Sequence, residues 1–182
     1  MDIKEKFIED FPIPKGNKKK PYIILFDAYT GMGKSTIARK ISEYDNSVIL
    51  NNDEVRNWLK DYNDTTNLKD ELQKYRLELL LKNNNSCIHD SCFCHNWKEK
   101  IKYFNDLGYK YYIIRLICGD ETIKQRLEKR TLDGVNYSVA NYEGYLWMKE
   151  NVSRVDDNLI DYIINTEEDI SLQVKDFLKS IK

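Results

Sequence analysis

Residues 22–36 read Tyr-Ile-Ile-Leu-Phe-Asp-Ala-Tyr-Thr-Gly-Met-Gly-Lys-Ser-Thr, an apolar run that ends in a glycine-rich turn and opens onto a helix-like stretch from Ser35 to Tyr44. This order of strand, loop and helix is the setting in which Gly-x-x-x-x-Gly-Lys-Ser binds a polyphosphate. Backbone N–H groups of Thr30, Gly31, Met32, Gly33, Lys34, Ser35 and Thr36 can surround the phosphates of ATP or another NTP, and the helix N-terminus adds partial positive charge. Lys34 is expected to reach the β- and γ-phosphates, and Ser35 to hold Mg²⁺. Ala28 stands where the strict pattern has glycine. It fits if its φ need not be positive.

Outward from this loop, strand-like and helix-like patterns alternate. Strands are predicted at 21–27, 47–51, 85–90, 110–117 and 161–165, each short, apolar or β-branched, and bounded by polar residues. Helices are predicted at 35–45, 53–61, 67–83, 94–107, 120–130, 137–151 and 168–181 from three- and four-residue apolar spacing. Such alternation implies an α/β fold with a five-stranded parallel sheet, helices on both faces and ligands at the carboxyl ends of the strands. Before it, residues 1–20 hold a helix from Ile3 to Phe11 and a polar, mobile linker with Pro12, Pro14, Gly16 and the run Lys18-Lys19-Lys20. Residues 21–182 are expected to be one nucleotide-binding domain.

Three further groups fall at carboxyl ends of predicted strands or beside them. Asp53 and Arg56 follow the second strand, and Asp53 is placed to cap or begin a helix. Three apart on that helix they share a face. The carboxylate could accept a hydroxyl proton during phosphoryl transfer, and the arginine could hold a phosphate on the acceptor. Read alone, the pair is equally a helix cap with a solvated partner. Asp90 closes the third strand on the substrate side, as a carboxylate near Mg²⁺. No second acid follows it, which favours transfer to a bound acceptor over water activation. Arg126 and Arg130 share a face of the sixth predicted helix, next to a loop containing Gly134, and fit a lid closing over ATP. The plainer alternative is a solvated basic helix end complementing the helix dipole.

Composition bounds the rest. With 182 residues the chain suits one sizeable core, and a net charge of −1 argues against a broad electrostatic grip on nucleic acid, leaving only a local basic site. The charged N-terminus and the lack of a long apolar run imply a cytoplasmic, soluble chain that engages no membrane. Its four cysteines make no disulfide framework and are expected reduced. Cys87, His89, Asp90, Cys92, Cys94 and His95 fall close together, but structural zinc draws paired ligands from separated knuckles, so no metal is assigned there. Tyr142, Tyr145, Leu146 and Met148 have helical spacing and are read as core or lid packing before base stacking.

Over about residues 21 to 180 the chain resembles the P-loop kinases that include phage-type polynucleotide 5′-hydroxyl kinases, zeta-toxin-like kinases and adenylylsulfate kinases. The resemblance rests on Gly31-Met32-Gly33-Lys34-Ser35-Thr36, Asn52-Asp53-Glu54-Val55-Arg56, Ile88-His89-Asp90 followed by Trp97-Lys98, and Arg126-Leu127-Glu128-Lys129-Arg130. It implies an adenylate-kinase-like P-loop NTPase fold with an arginine-bearing lid, and ATP and Mg²⁺ as cofactors. The order and spacing are most similar to the polynucleotide kinase branch. By that resemblance Asp53 is the general base, Arg56 the ligand of a substrate phosphate and Arg130, with Arg126 nearby, the lid arginine. The implied acceptor is the 5′-hydroxyl of RNA or DNA. A small-molecule kinase acting on a nucleoside, sugar acid or adenylylsulfate and a non-catalytic nucleotide-binding module are the alternatives. Any ligase or phosphatase partner in nucleic acid repair would be a separate protein, and the segment Leu132 to Tyr145 carries no readable substrate motif.

Overall fold

The computed structural model describes residues 2–62, 66–132 and 140–181. Five strands form one sheet: β1 Tyr22–Asp27, β2 Val48–Asn51, β3 Cys87–Asp90, β4 Lys110–Ile117 and β5 Tyr162–Asn165. Their order is β2-β3-β1-β4-β5, and every pair is parallel. The chain runs outward from β1 to β2, returns to β3, then crosses β1 to reach β4 and β5. It therefore reverses direction beside β1, where an open parallel sheet leaves a crevice at its carboxyl edge.

Helices cover both faces. In chain order they are α1 Ile3–Asp10, α2 Lys34–Asp45, α3 Asn52–Trp58, α4 Thr66–Lys82, α5 Trp97–Asp106, α6 Asp120–Leu132, α7 Tyr142–Asn151 and α8 Ile170–Ser180. Alternation along β1 divides the core in two. Ile24 and Phe26 pack with Ile37 and Ile41 of α2 and with Val174 and Phe177 of α8. Ile23 and Leu25 face the other way, onto Leu77, Leu80 and Leu81 of α4 and Phe104 of α5. A third cluster joins Phe7 of α1 to Val55, Leu59 and Leu72. None of the helices, among the described residues, is long and apolar enough to cross a membrane.

Three expectations need correction or limitation. The segment between α1 and β1, expected to be mobile, is pinned: Lys18 bonds Asp45 at 2.6 Å, and the Asn85 side chain donates to the Pro14 carbonyl at 2.9 Å. At Gly16 a Cβ would lie 2.1 Å from the Asn83 carbonyl oxygen, so the close approach requires glycine there. Helix α5 starts at Trp97 rather than at 94, because Asn96 sits in the left-handed region at φ 57° and breaks the helical path. The Gly134 loop and the beginning of the helix predicted at 137–151 lie outside the described residues, so the lid expected there is described only in part. From Tyr142 onward that helix is present.

Candidate active site

The P-loop joins β1 to α2. Gly31 (φ 77°) and Gly33 (φ 93°) hold left-handed conformations, and a Cβ on Gly31 would stand 2.8 Å from Ile123 Cγ2. Ala28 is not among the positive-φ residues and is buried, so alanine meets the turn without strain. Met32 turns into the core, where its sulfur accepts the Tyr29 N–H at 3.2 Å. No side chain caps the first turn of α2 behind Gly33, and the Thr36 N–H donates to the Gly33 carbonyl at 3.1 Å, so the amides of Lys34 and Ser35 are the ones placed to donate to an anion. Thr36 is exposed in that first turn.

Lys34 Nζ donates to the carbonyl oxygens of Tyr29 at 2.7 Å and Ala28 at 3.4 Å. Burial pushes its pKa down, against the pull of Cys92 and Asp90, while Arg130 pushes the same way as burial. An ammonium held in a desolvated loop gains most when an anion replaces its carbonyl partners. Burial raises the pKa of the Asp90 carboxyl; Ser35, Lys34 and Arg39 work against that rise, and Asp53 adds to it. Lys34, Ser35, Asp53 and Asp90 thus share one electrostatic neighbourhood. A hydroxyl backed by a carboxylate suits a hard cation such as Mg²⁺, and the glycine turn with its uncapped amides suits a polyphosphate. The residues present fit both groups.

Sheet register builds the opposite wall. Asn51 of β2 is paired with Asp90 of β3, and the Asn51 side chain accepts the backbone N–H groups of Asp53 at 2.8 Å and Glu54 at 3.4 Å. Asn51, not Asp53, is therefore the cap of α3; Asp53 sits in its first turn and forms an ion pair with Arg56. Gln73 of α4 ties this corner down by donating to the Asn51 carbonyl at 3.0 Å. Lys34, Ser35, Asp53, Arg56, Asp90 and Arg130 all line one cleft of about 1700 Å³.

Arg126 stands apart from that cleft. It donates to the Thr166 hydroxyl at 2.9 Å and the Thr166 carbonyl at 2.8 Å, and its Nη1 lies 3.8 Å from where a Cβ on Gly33 would be. It borders the P-loop from the β5–α8 turn. On α7, Tyr145 is buried against Tyr29 and Tyr142, as the packing reading has it, but Leu146 is exposed. Met148 lines the cleft beside Trp147, which is 56% exposed and was not singled out by periodicity. Among the described residues no group of three His, Cys, Asp or Glu side chains is gathered for a metal ion.

The residues that hold the loop in place were not legible in the sequence. Asp27 at the end of β1 is fully buried and takes Arg115 at 2.6 Å and Arg154 at 2.9 Å. Arg154 also donates to the carbonyls of Asp27 at 2.7 Å and Leu116 at 3.0 Å, and its guanidinium lies over the Tyr29 ring. The Tyr29 hydroxyl in turn donates to the Val152 carbonyl at 2.6 Å. A charged residue closing an otherwise apolar strand is the only local signal for this clamp.

A family model described as AAA domain matches residues 24–155. A search of curated proteins returns no match. Among solved structures the chain is similar to the APS kinase CysC of Mycobacterium tuberculosis in complex with AMPPNP and APS, at 13% identity and TM-score 0.60, covering 89% of this chain and 98% of that one. It is also similar to a gluconokinase from Sinorhizobium meliloti 1021, at 11% identity and TM-score 0.58, with 89% and 91% covered. A fungal RNA kinase aligns at 14% identity and TM-score 0.57, with 91% and 86% covered. At such identities the likeness establishes the shared P-loop α/β fold.

Proposed function

The chain belongs to the AAA domain family, and from that premise we propose that it is an ATP- and Mg²⁺-dependent kinase transferring the γ-phosphoryl group to a hydroxyl, with the 5′-hydroxyl of RNA or DNA as the first acceptor to test. One observation carries the reading: the Lys34 and Ser35 end of the P-loop and the Asp53–Arg56 pair form two walls of a single cleft. ATP, when bound, supplies the phosphoryl group, and Mg²⁺ neutralises charge on its oxygens. The chain does the rest. First-turn amides of α2 and Lys34 hold the phosphates, Ser35 with Asp90 behind it holds the cation, and Arg130 offers positive charge from the α6 side.

Asp53 is the proton acceptor for the attacking hydroxyl. Its ion pair with Arg56 orients the carboxylate toward the cleft wall that an acceptor would occupy. Arg56 is half exposed, so an acceptor phosphate can compete for its remaining donors. The similar solved structures bear names that span adenylylsulfate, gluconate and RNA kinases, which supports the broader phosphotransferase reading without choosing among acceptors.

The test is a transfer assay with γ-labelled ATP against 5′-hydroxyl oligonucleotides of RNA and DNA, nucleoside 3′-phosphates, nucleosides, gluconate and adenylylsulfate. Label on the oligonucleotides and on nucleoside 3′-phosphates in preference to bare nucleosides is expected. Label on gluconate or adenylylsulfate alone would replace the polynucleotide reading with the small-molecule one. ATP binding with no transfer to any acceptor would leave a nucleotide-binding module.

A further inference from the structure

Two thiols meet in the wall of the cleft, and phosphoryl transfer has no use for them. After β3 the chain runs Ser91-Cys92-Phe93-Cys94-His95-Asn96 before entering α5. Phe93 is buried, and its backbone N–H donates to the Phe26 carbonyl at 3.1 Å, which anchors the loop to β1. The side chains on either side of it converge, and Cys92 Sγ lies 2.8 Å from Cys94 Sγ. Cys92 lines the cleft and its carbonyl accepts Lys100 Nζ at 3.1 Å. Cys94 is buried, and its thiol also reaches the carbonyl of Ala28 at 3.7 Å. That carbonyl is the one Lys34 Nζ approaches at 3.4 Å.

We propose that Cys92 and Cys94 are a peroxide-sensitive thiol–disulfide pair, with Cys92 the attacking sulfur and Cys94 the resolving one, whose closure weakens nucleotide binding at the adjoining P-loop. Cys92 is the sulfur a reagent in the cleft can reach. Cationic groups face the pair: Lys100 Nζ bonds the Cys92 carbonyl at 3.1 Å, and Lys34 Nζ and the Cys94 thiol approach the same Ala28 carbonyl. A thiolate beside lysines is the reactive form.

In the first step the Cys92 thiolate attacks one oxygen of hydrogen peroxide; the O–O bond breaks, Cys92 becomes a sulfenic acid, and the departing hydroxide takes up the proton that Cys92 released on ionising and leaves as the first water. Cys94 sulfur then attacks Cys92 sulfur. The S–O bond breaks, the S–S bond forms, and the oxygen departs as a second water carrying the Cys94 proton. Two electrons pass from the sulfurs to peroxide, and both thiol protons end on water. Bridging across one intervening residue is a tight closure, so the bond is expected to be readily reduced again. Closure takes the Cys94 donor from the Ala28 carbonyl, which Lys34 Nζ also approaches, and this carries the change into the loop.

The experiment uses the full chain treated with hydrogen peroxide, followed by intact mass, alkylation mapping and nucleotide titration. Expected is a loss of two hydrogens localised to Cys92 and Cys94, with Cys87 and Cys118 found as free thiols when the chain is unfolded and alkylated, and full reversal by dithiothreitol. Cys94→Ser should instead stop with one added oxygen on Cys92, captured by dimedone, and Cys92→Ser should show no bridge. Free Cys92 and Cys94 after treatment, further oxygen addition on the wild type without bridging, a cross-link between chains, or earlier reaction of Cys118 would each overturn the pair. Affinity for MgATP should drop about fivefold or more in the bridged form and return on reduction; unchanged affinity would overturn the link to the P-loop. This last readout rests on the kinase reading and the thiol mapping does not, so the two can fail separately.

Discussion

Arg154 Nε sits 2.9 Å from the carboxylate of Asp27, a residue 127 positions earlier in the chain and wholly buried at the carboxyl end of β1. The pair locks the segment after α7 to the strand that launches the P-loop, and Arg115 completes it from β4 at 2.6 Å. Removing one partner strands a buried charge, an effect that reaches 3–5 kcal/mol when no other partner remains. Arg115 still faces Asp27, so Arg154→Ala is expected to lower stability by less than that, about 2 kcal/mol. Urea denaturation measures it. ATP affinity should weaken in parallel because Tyr29 and the Asp27 carbonyl lose their anchor. A shift in the unfolding midpoint worth under about 1 kcal/mol, as for an exposed pair, would contradict the clamp.

Lys34→Ala separates charge from fold. Lys34 is desolvated and its pKa is lowered, so its ammonium is a burden to the folded chain in the absence of an anion. The variant should therefore melt no lower than wild type, while losing transfer by about 10²-fold or more, the scale of a preorganised charge at the reacting group. Thermal unfolding and γ-labelled ATP turnover measure both. A destabilised variant with normal turnover would refute the assignment.

Glycines at 31 and 108 test the P-loop turn against a control. Both have positive φ, 77° and 70°, but a Cβ at Gly31 meets Ile123 and Leu127 within 3.0 Å, whereas at Gly108 nothing lies within 4 Å. Gly108→Ala should lose roughly 1–2 kcal/mol, the left-handed penalty alone. Gly31→Ala should lose more, up to about 3 kcal/mol above that, as overpacking is added. Equal losses in urea titrations of the two variants would mean the α6 contact is absent.

Asp53→Asn keeps the size and hydrogen-bonding reach of the side chain but removes the base. We expect kcat to fall by roughly 10²- to 10⁴-fold with ATP affinity nearly unchanged. Arg56→Ala should raise KM for a nucleoside 3′-phosphate by an amount worth about 1.5–3 kcal/mol and hardly affect the bare nucleoside. Steady-state kinetics on the two acceptors decide the roles. If Arg56→Ala weakens both acceptors equally, the arginine serves only to orient Asp53.

His89 makes stability depend on pH. Burial first, then Lys100 and Lys69, push its pKa down to about 4 against the pull of Asp70, and its Nδ1 meets Ser91 Oγ at 2.5 Å. As pH falls the unfolded chain, with its ordinary value near 6.5, takes the proton before the folded one does. The His89 contribution is therefore complete above about pH 6.5 and is lost between there and about pH 4. Urea midpoints of wild type and His89→Asn, measured across that window, should converge as pH drops. Parallel curves would show that the ring is solvated.

Much of the architecture was legible because its determinants are local. The five strands appear within a residue or two of their predicted places, since an apolar run with turn residues on each side specifies a buried parallel strand by itself. Gly31, Gly33, Lys34 and Ser35 announced the phosphate loop, and Asp53 with Arg56 needed only helical spacing to meet. Boundaries set by a single backbone angle escaped, as at Asn96, because asparagine tolerates several conformations and the choice is made by what it packs against. So did the pinning of the segment before β1, where lysines and prolines have the composition of a free linker until Asp45 and Asn85 arrive from elsewhere.

What the sequence by itself determined is the set of elements and the chemical identity of the cleft: a parallel α/β sheet, a polyphosphate loop, and a carboxylate and arginine after the second strand. Only the tertiary structure decided that Asp27 is gripped by Arg115 and Arg154, that Asn51 rather than Asp53 caps α3, that Arg126 serves the β5–α8 turn, and that Cys92 and Cys94 touch beside Lys34. The physical reason is range. Periodicity and turn chemistry act over a few residues, whereas these contacts depend on strand order, register and side-chain packing between segments that the chain brings together only once its core has closed.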